Sequence, residues 1–196
     1  MDVKKIGYGD LLQADIIVTT STHATSKAIR LGTGGSVSHA LIYAGGSRIV
    51  EAIPGGVREV HLDKALESDT VLAIALRHVR LTTGQRQQVI DNARKFLNLP
   101  YDKIGAAGAG VNSSNGFKIA VAGCLFSPTA CAAGGSVIEN NARPSNADKA
   151  FFCSELVARA FELAGVKLVD TKPSFTHPSM LLNASELRYV GHLRGA

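Results

Sequence analysis

The sequence predicts an α+β domain in which an antiparallel β-sheet or barrel packs against a helix that opens on a cysteine. Short runs rich in Ile, Val and Leu, separated by glycine-rich turns, fill residues 15–76. A helical pattern over 83–97 places Val89, Ala93, Phe96 and Leu97 on one face. In the segment from Phe151 to Ala164, Leu156, Val157, Ala160, Phe161 and Ala164 recur at helical spacing, and Gly165 provides the stop. At 196 residues the chain is long enough for one domain with a core that needs no staples. Hydrophobic residues at 45% and charged residues at 19% describe a globular chain, not a disordered one.

Taken in order, Gly9-Asp10-Leu11-Leu12 reads as a turn leading into a strand over Asp15-Ile16-Ile17-Val18-Thr19. Ser21 to Leu31 suits a short helix ending before Gly32-Thr33-Gly34-Gly35. Val37 to Tyr43 and Arg48 to Ala52 are β-rich runs joined by Ala44-Gly45-Gly46-Ser47, a hairpin signal. Val57 to Val60 continues as a strand after Pro54-Gly55-Gly56, and Val71 to Leu76 supplies another. Thr82 opens the helix that runs to about Leu97, and Phe152 to Ala164 is the cysteine helix. Pro178 suits the first turn of a last short helix, and Leu187 to Leu193 a closing strand.

Residues 103–149 differ from the rest, being rich in Gly, Ala, Ser and Asn, and they read as an insertion. Their apolar stretch at 119–133 is shorter than the roughly 20 residues a spanning helix needs, and Ser127-Pro128 interrupts it. A packed loop or helical hairpin is expected, with contact to membrane lipid through 119–133 as the alternative. On a continuous helix Cys124 and Cys131 would stand about 10 Å apart, too far to bridge. Pro128 breaks such a helix, so their pairing stays open.

The formal net charge of +5 comes from scattered lysines and arginines, with aromatics at only 6%. No basic run interleaves with aromatic residues, so no nucleic-acid partner is expected. A basic surface suits anionic cell-wall polymer or lipid headgroups equally well. No His, Cys or carboxylate spacing matches a metal motif, and the glycines at 32, 34 and 35 fit neither a P-loop nor a dinucleotide fingerprint. Neither a metal nor another cofactor is expected. The residues from Met1 to Asp10 lack an apolar signal core. The expected location is cytoplasmic, or outside the cell by a signal-independent secretion route.

The chemistry concentrates on Cys153. A helix N-terminus presents unpaired N–H groups and the positive end of the macrodipole, which favour thiolate over thiol. The same N–H groups can hold an oxyanion. Free cysteines are also among the most buried residue types, so a partner must separate nucleophile from packed hydrophobe. Among six histidines, His39 stands out, because Ser38-His39-Ala40-Leu41-Ile42-Tyr43 places it in a β-run. Glu51, on the neighbouring strand among Ile49, Val50, Ala52 and Ile53, is a carboxylate in apolar company that calls for a reason. Antiparallel pairing can set it beside the imidazole on one sheet face. His23 suits a helix cap, His61, His78 and His192 sit at strand ends, and His177 precedes Pro178 in a turn.

Six pieces in this order resemble the circularly permuted NlpC-type papain-like proteins, in particular their YiiX-like branch. They are Gly9-Asp10-Leu11-Leu12 with Asp15-Ile16-Ile17, Ser38-His39-Ala40-Leu41-Ile42-Tyr43, Ile49-Val50-Glu51-Ala52 with Gly55-Gly56-Val57, Leu99-Pro100-Tyr101-Asp102, Phe152-Cys153-Ser154-Glu155-Leu156-Val157, and Pro178-Ser179-Met180-Leu181-Leu182. The resemblance implies a single permuted papain-like domain over 1–196, with the insertion at 103–149. It implies Cys153 as nucleophile, His39 as general base and Glu51 as the group that orients His39. Tyr101 is expected to line the pocket or help bind the reacting carbonyl, with Tyr43 and Phe152 as further substrate contacts.

The activity so implied is acyl transfer through a thioester on Cys153, most simply amide hydrolysis in cell-wall-type peptides. Two alternatives stay open: a lipid-acting acyltransferase or phospholipase resembling lecithin:retinol acyltransferase, and a non-enzymatic binding module. A secreted antibacterial effector would also need a cognate immunity protein.

Overall fold

The computed structural model describes residues 3–102 and 150–195. The insertion expected at 103–149, with its apolar stretch at 119–133 and with Cys124 and Cys131, lies outside the described residues.

Six strands form one antiparallel sheet: β1 (Ile16–Ser21), β2 (His39–Gly45), β3 (Arg48–Ile53), β4 (Gly56–His61), β5 (Thr70–His78) and β6 (Leu187–Arg194). Their order is β4-β3-β2-β1-β5-β6, which makes β4 and β6 the end strands. Of the sheet and barrel forms anticipated, the described residues make the sheet. Among the described residues the α-helices are α1 (Ala24–Thr33), α2 (Leu62–Ala65), α3 (Thr83–Lys95), α4 (Cys153–Glu162) and α5 (Pro178–Leu182).

The central strand explains why the sheet is covered on both sides. Ile16, Ile17 and Val18 are each fully buried, so β1 faces apolar side chains above and below. Ile16 and Val18 join Ile42, Val50, Val89, Phe96, Leu156 and Phe161 in the larger core, which α3 and α4 close. Ile17 points the other way, into a smaller core with Leu11, Leu41, Tyr43, Ile49 and Leu62. That second core is sealed in part by α2, a one-turn helix that has no sequence signal long enough to read.

Turn chemistry sets the registers. The β2–β3 hairpin turns on Gly46 and Ser47, with φ of 57° and 59°, the pair of positive values that a type I′ turn requires. Helix α1 runs through Gly32 to Thr33, two residues beyond its expected end. It stops at Gly34, whose φ of 66° is the left-handed conformation that glycine adopts without a Cβ penalty. Thr82 caps α3, accepting the Gln85 N–H at 3.2 Å. Pro178 occupies the first turn of α5 as expected.

Candidate active site

Cys153 is the first residue of α4, and Phe152 is its N-cap. At that position the helix's own hydrogen-bond ladder does not use the Cys153 N–H. The helix is anchored by Leu156, Val157, Ala160 and Phe161, all fully buried against the sheet. Its first turn is tied down twice. Ser154 Oγ donates to the Thr176 carbonyl at 2.7 Å, and the Phe152 N–H donates to Glu155 Oε2 at 3.4 Å. Cys153 is only 4% exposed, and its sulfur has little freedom to wander.

His39 is the first residue of β2, hydrogen-bonded in register opposite Thr19 of β1. Between β2 and β3, Ile42 pairs with Val50 and Tyr43 with Ile49. Carried on in step, this register sets Leu41 opposite Glu51 and leaves His39 as the diagonal neighbour of Glu51 on the same face. The side chains use that placement: His39 Nε2 donates to Glu51 Oε2 at 2.7 Å. The sulfur of Cys153 lies against the same ring, close enough that each group shifts the other's protonation. With Nε2 committed to Glu51, Nδ1 is the nitrogen left to face the sulfur. Sulfur, imidazole and carboxylate are thus brought together from α4, β2 and β3.

The electrostatics follow from burial opposed by pairing. Burial pushes the Cys153 thiol up. The hydrogen bond and charge of His39, with backbone N–H groups of Ala40 and Ser154 aimed at the sulfur, overcome it and hold the thiol below its ordinary range. Burial likewise presses the His39 imidazole down, but its bonds to Cys153 and Glu51 win and raise it to about 10. Glu51 is penalised by burial as well, yet His39 and then Arg58 keep its carboxyl below the usual carboxylate range. The arrangement favours thiolate, imidazolium and carboxylate together.

Arg58 carried no sequence expectation. It faces Glu51 directly across the β3–β4 pairing, and its Nε and Nη2 both donate to Glu51 Oε1, at 2.9 and 2.7 Å. A signal for it did exist. The Pro54-Gly55 turn sets Ile53 opposite Gly56, and counting back from there brings Glu51 opposite Arg58. The amides of Ala40 and Ser154 at the sulfur are backbone groups and leave no trace in residue type.

The expected substrate contacts divide. Tyr101 pairs with Phe151 in a short parallel bridge, and the Asp102 N–H and Phe151 carbonyl close it at 3.0 Å. That bridge brings Tyr101 into the surroundings of Cys153. Its hydroxyl is pushed well above the ordinary tyrosine range by burial, and then by the charges of Cys153 and Glu155. Phe152 stands beside the sulfur as the helix cap and is 2% exposed. Tyr43 lies apart from these residues. It lies four residues along β2 from His39, about 13 Å away, inside the smaller core, and its hydroxyl accepts the Ser47 N–H at 3.1 Å.

A cavity of about 1240 Å³ opens elsewhere, among Thr33 to Ser36, His78, Arg80, the residues after α4, and α5. Cys153, His39, Glu51 and Tyr101 do not line it. Among the described residues no group of three or more His, Cys, Asp or Glu side chains is placed to hold a metal ion.

Comparison with known proteins agrees with this architecture. Residues 10–106 match the family described as permuted papain-like amidase enzymes, YaeF/YiiX, C92 family. A relative from Escherichia coli K12, named "Probable lipoprotein peptidase YaeF", is 28% identical over 98% of this chain and 74% of its own length. The crystal structure of yiiX from Escherichia coli O157:H7, described as a metalloprotein, superposes with a TM-score of 0.59 at 18% identity. That match covers 92% of this chain and 96% of yiiX, and it speaks for the fold. With the permuted order of histidine before cysteine, the antiparallel sheet and the matched residues all in agreement, the chain has the permuted papain-like fold and is similar to the YaeF/YiiX family of amidases and peptidases.

Proposed function

We propose that the protein is a cysteine-dependent amidase that cleaves peptide substrates of cell-wall type through a thioester on Cys153. One observation carries the reading: the sulfur of Cys153 meets the His39 ring, whose Nε2 donates to Glu51 Oε2 at 2.7 Å. In the resting state the thiolate faces an imidazolium. The thiolate attacks the amide carbonyl, and the developing oxyanion lies at the helix N-terminus, within reach of the Cys153 N–H. As the C–N bond breaks, the proton on His39 moves to the departing amine, leaving a thioester and a neutral ring. The ring then takes a proton from water, whose oxygen attacks the thioester, and the thiolate–imidazolium pair is restored.

Amide cleavage in peptides is the substrate class that suits a family of amidases and peptidases, and the naming of YaeF as a peptidase points the same way. Incubation with peptidoglycan-derived peptides and, in parallel, with phospholipid vesicles tests this, with products and Cys153 adducts read by mass spectrometry. New peptide amines and a transient acyl adduct on Cys153 are expected. Full turnover retained in Cys153→Ala, or acyl transfer from phospholipid alone, contradicts it.

A further inference from the structure

The carboxylate of Glu51 has two oxygens, and the structure gives each a different partner. Oε2 receives Nε2–H of His39 at 2.7 Å, while Oε1 receives both Nε–H and Nη2–H of Arg58 at 2.9 and 2.7 Å. A glutamate carboxylate is free to turn about its last torsion. Two donors from one rigid guanidinium fork on a single oxygen remove that freedom, which a lysine's point charge would not do. The carboxylate is enclosed, its side chain only 3% exposed, whereas the Arg58 side chain is 43% exposed on the end strand β4. A surface cation therefore reaches inward to hold a buried anion.

The charged groups facing Glu51 are His39 from β2 and Arg58 from β4. Beyond His39 stands Cys153 of α4, with Tyr101 and Glu155 around it. Of the two cations at Glu51, His39 changes charge during the reaction that the proposed function describes. Each time it gives its proton to the leaving amine, the buried carboxylate would, but for Arg58, face a neutral ring with no counter-charge. Arg58 takes no part in that proton transfer and keeps both its hydrogen bonds on Oε1. From this geometry, and resting on the amidase reading above, we infer that Arg58 is a positioning residue for the reaction. It locks Glu51 Oε2 onto His39 and keeps that carboxylate ionised while the imidazole is neutral.

The proposal is tested on the full chain with iodoacetamide as probe. The rate of Cys153 alkylation is followed by mass spectrometry across pH in wild type, Arg58→Met, Arg58→Lys and Glu51→Gln, with circular dichroism to confirm folding. In Arg58→Met the acid limb of the profile should move to higher pH, toward that of Glu51→Gln. Alkylation at a fixed pH on that limb becomes about tenfold slower for every pH unit the limb moves. Arg58→Lys, which returns the charge without the fork, should bring the limb part of the way back. A purely structural role would lower the amount of folded protein and leave the limb of the folded fraction in place. If Glu51→Gln moves the limb and Arg58→Met does not, the assignment of Arg58 is overturned while the triad stands. If wild type shows an ordinary thiol limb that Glu51→Gln leaves unmoved, the underlying reading fails with it.

Discussion

Between the sulfur of Cys153 and the carboxylate of Glu51 stands one imidazole, and its proton decides what the site can do. His39 is raised to about 10 in the folded protein against an ordinary value of 6.5. A group raised on folding contributes stability that is fully present below its unfolded value and is lost as pH climbs through the folded one. The stability difference between wild type and His39→Gln should therefore be largest below about pH 6.5 and shrink toward pH 10, as read by urea unfolding across pH. A difference that grows with pH would contradict the pairing. Glu51 and Cys153 are lowered, so their contributions run the other way and are lost as pH falls. Of these residues, Cys153, His39 and Glu51 were legible in sequence, because a cysteine at a helix start, a histidine in a β-run and a carboxylate among isoleucines and valines are each conspicuous. Arg58 was not, because an arginine on an exposed strand is ordinary until the register is known.

At the scale of elements, α4 is the part that must not move, since it carries both the nucleophile and the Ser154 N–H at the sulfur. Phe161 is fully buried near its far end, and its ring stands 6.5 Å from that of His78. Phe161→Ala should cost about 3–5 kcal/mol of stability, as a core phenylalanine truncation does, measured by chemical denaturation. A cost below about 1 kcal/mol would mean that α4 is not anchored as described. The strands and longer helices were legible because their apolar periods and turn residues are strong. The end of α1 was misplaced by two residues because Gly32 and Gly34 look alike in sequence, and only the second has the left-handed backbone. The one-turn helix α2 has too few residues to show a period.

Across the whole molecule, β1, β5 and α3 are tied by a network at Asp15, which is fully buried. Arg77 donates to it through Nε and Nη2 at 2.7 and 2.6 Å, Arg86 approaches within 3.9 Å, and the Leu12 N–H donates to it at 2.8 Å. Such a network marks a seam where the segment before β1 meets the end of β5. Asp15→Ala leaves Arg77, 12% exposed by side chain, without its carboxylate. It should lose about 3–5 kcal/mol of stability, while alkylation of Cys153 in the folded fraction keeps its pH profile. A displaced profile would mean that the seam and the site are coupled. The Gly-Asp and Asp-Ile-Ile pieces were visible in sequence as a turn and a strand. Their role as an ion-pair anchor was not, because Arg77 and Arg86 lie more than sixty residues downstream.

The central claim is that Cys153 rests as a thiolate against a protonated His39. Ultraviolet thiolate absorbance, taken as wild type minus Cys153→Ala, isolates that sulfur from the other two cysteines as pH is varied. Thiolate signal persisting well below the ordinary thiol value of about 8.5, and displaced upward by His39→Ala, is the predicted result. A signal that appears only near that ordinary value, unchanged by the loss of His39, would contradict the account.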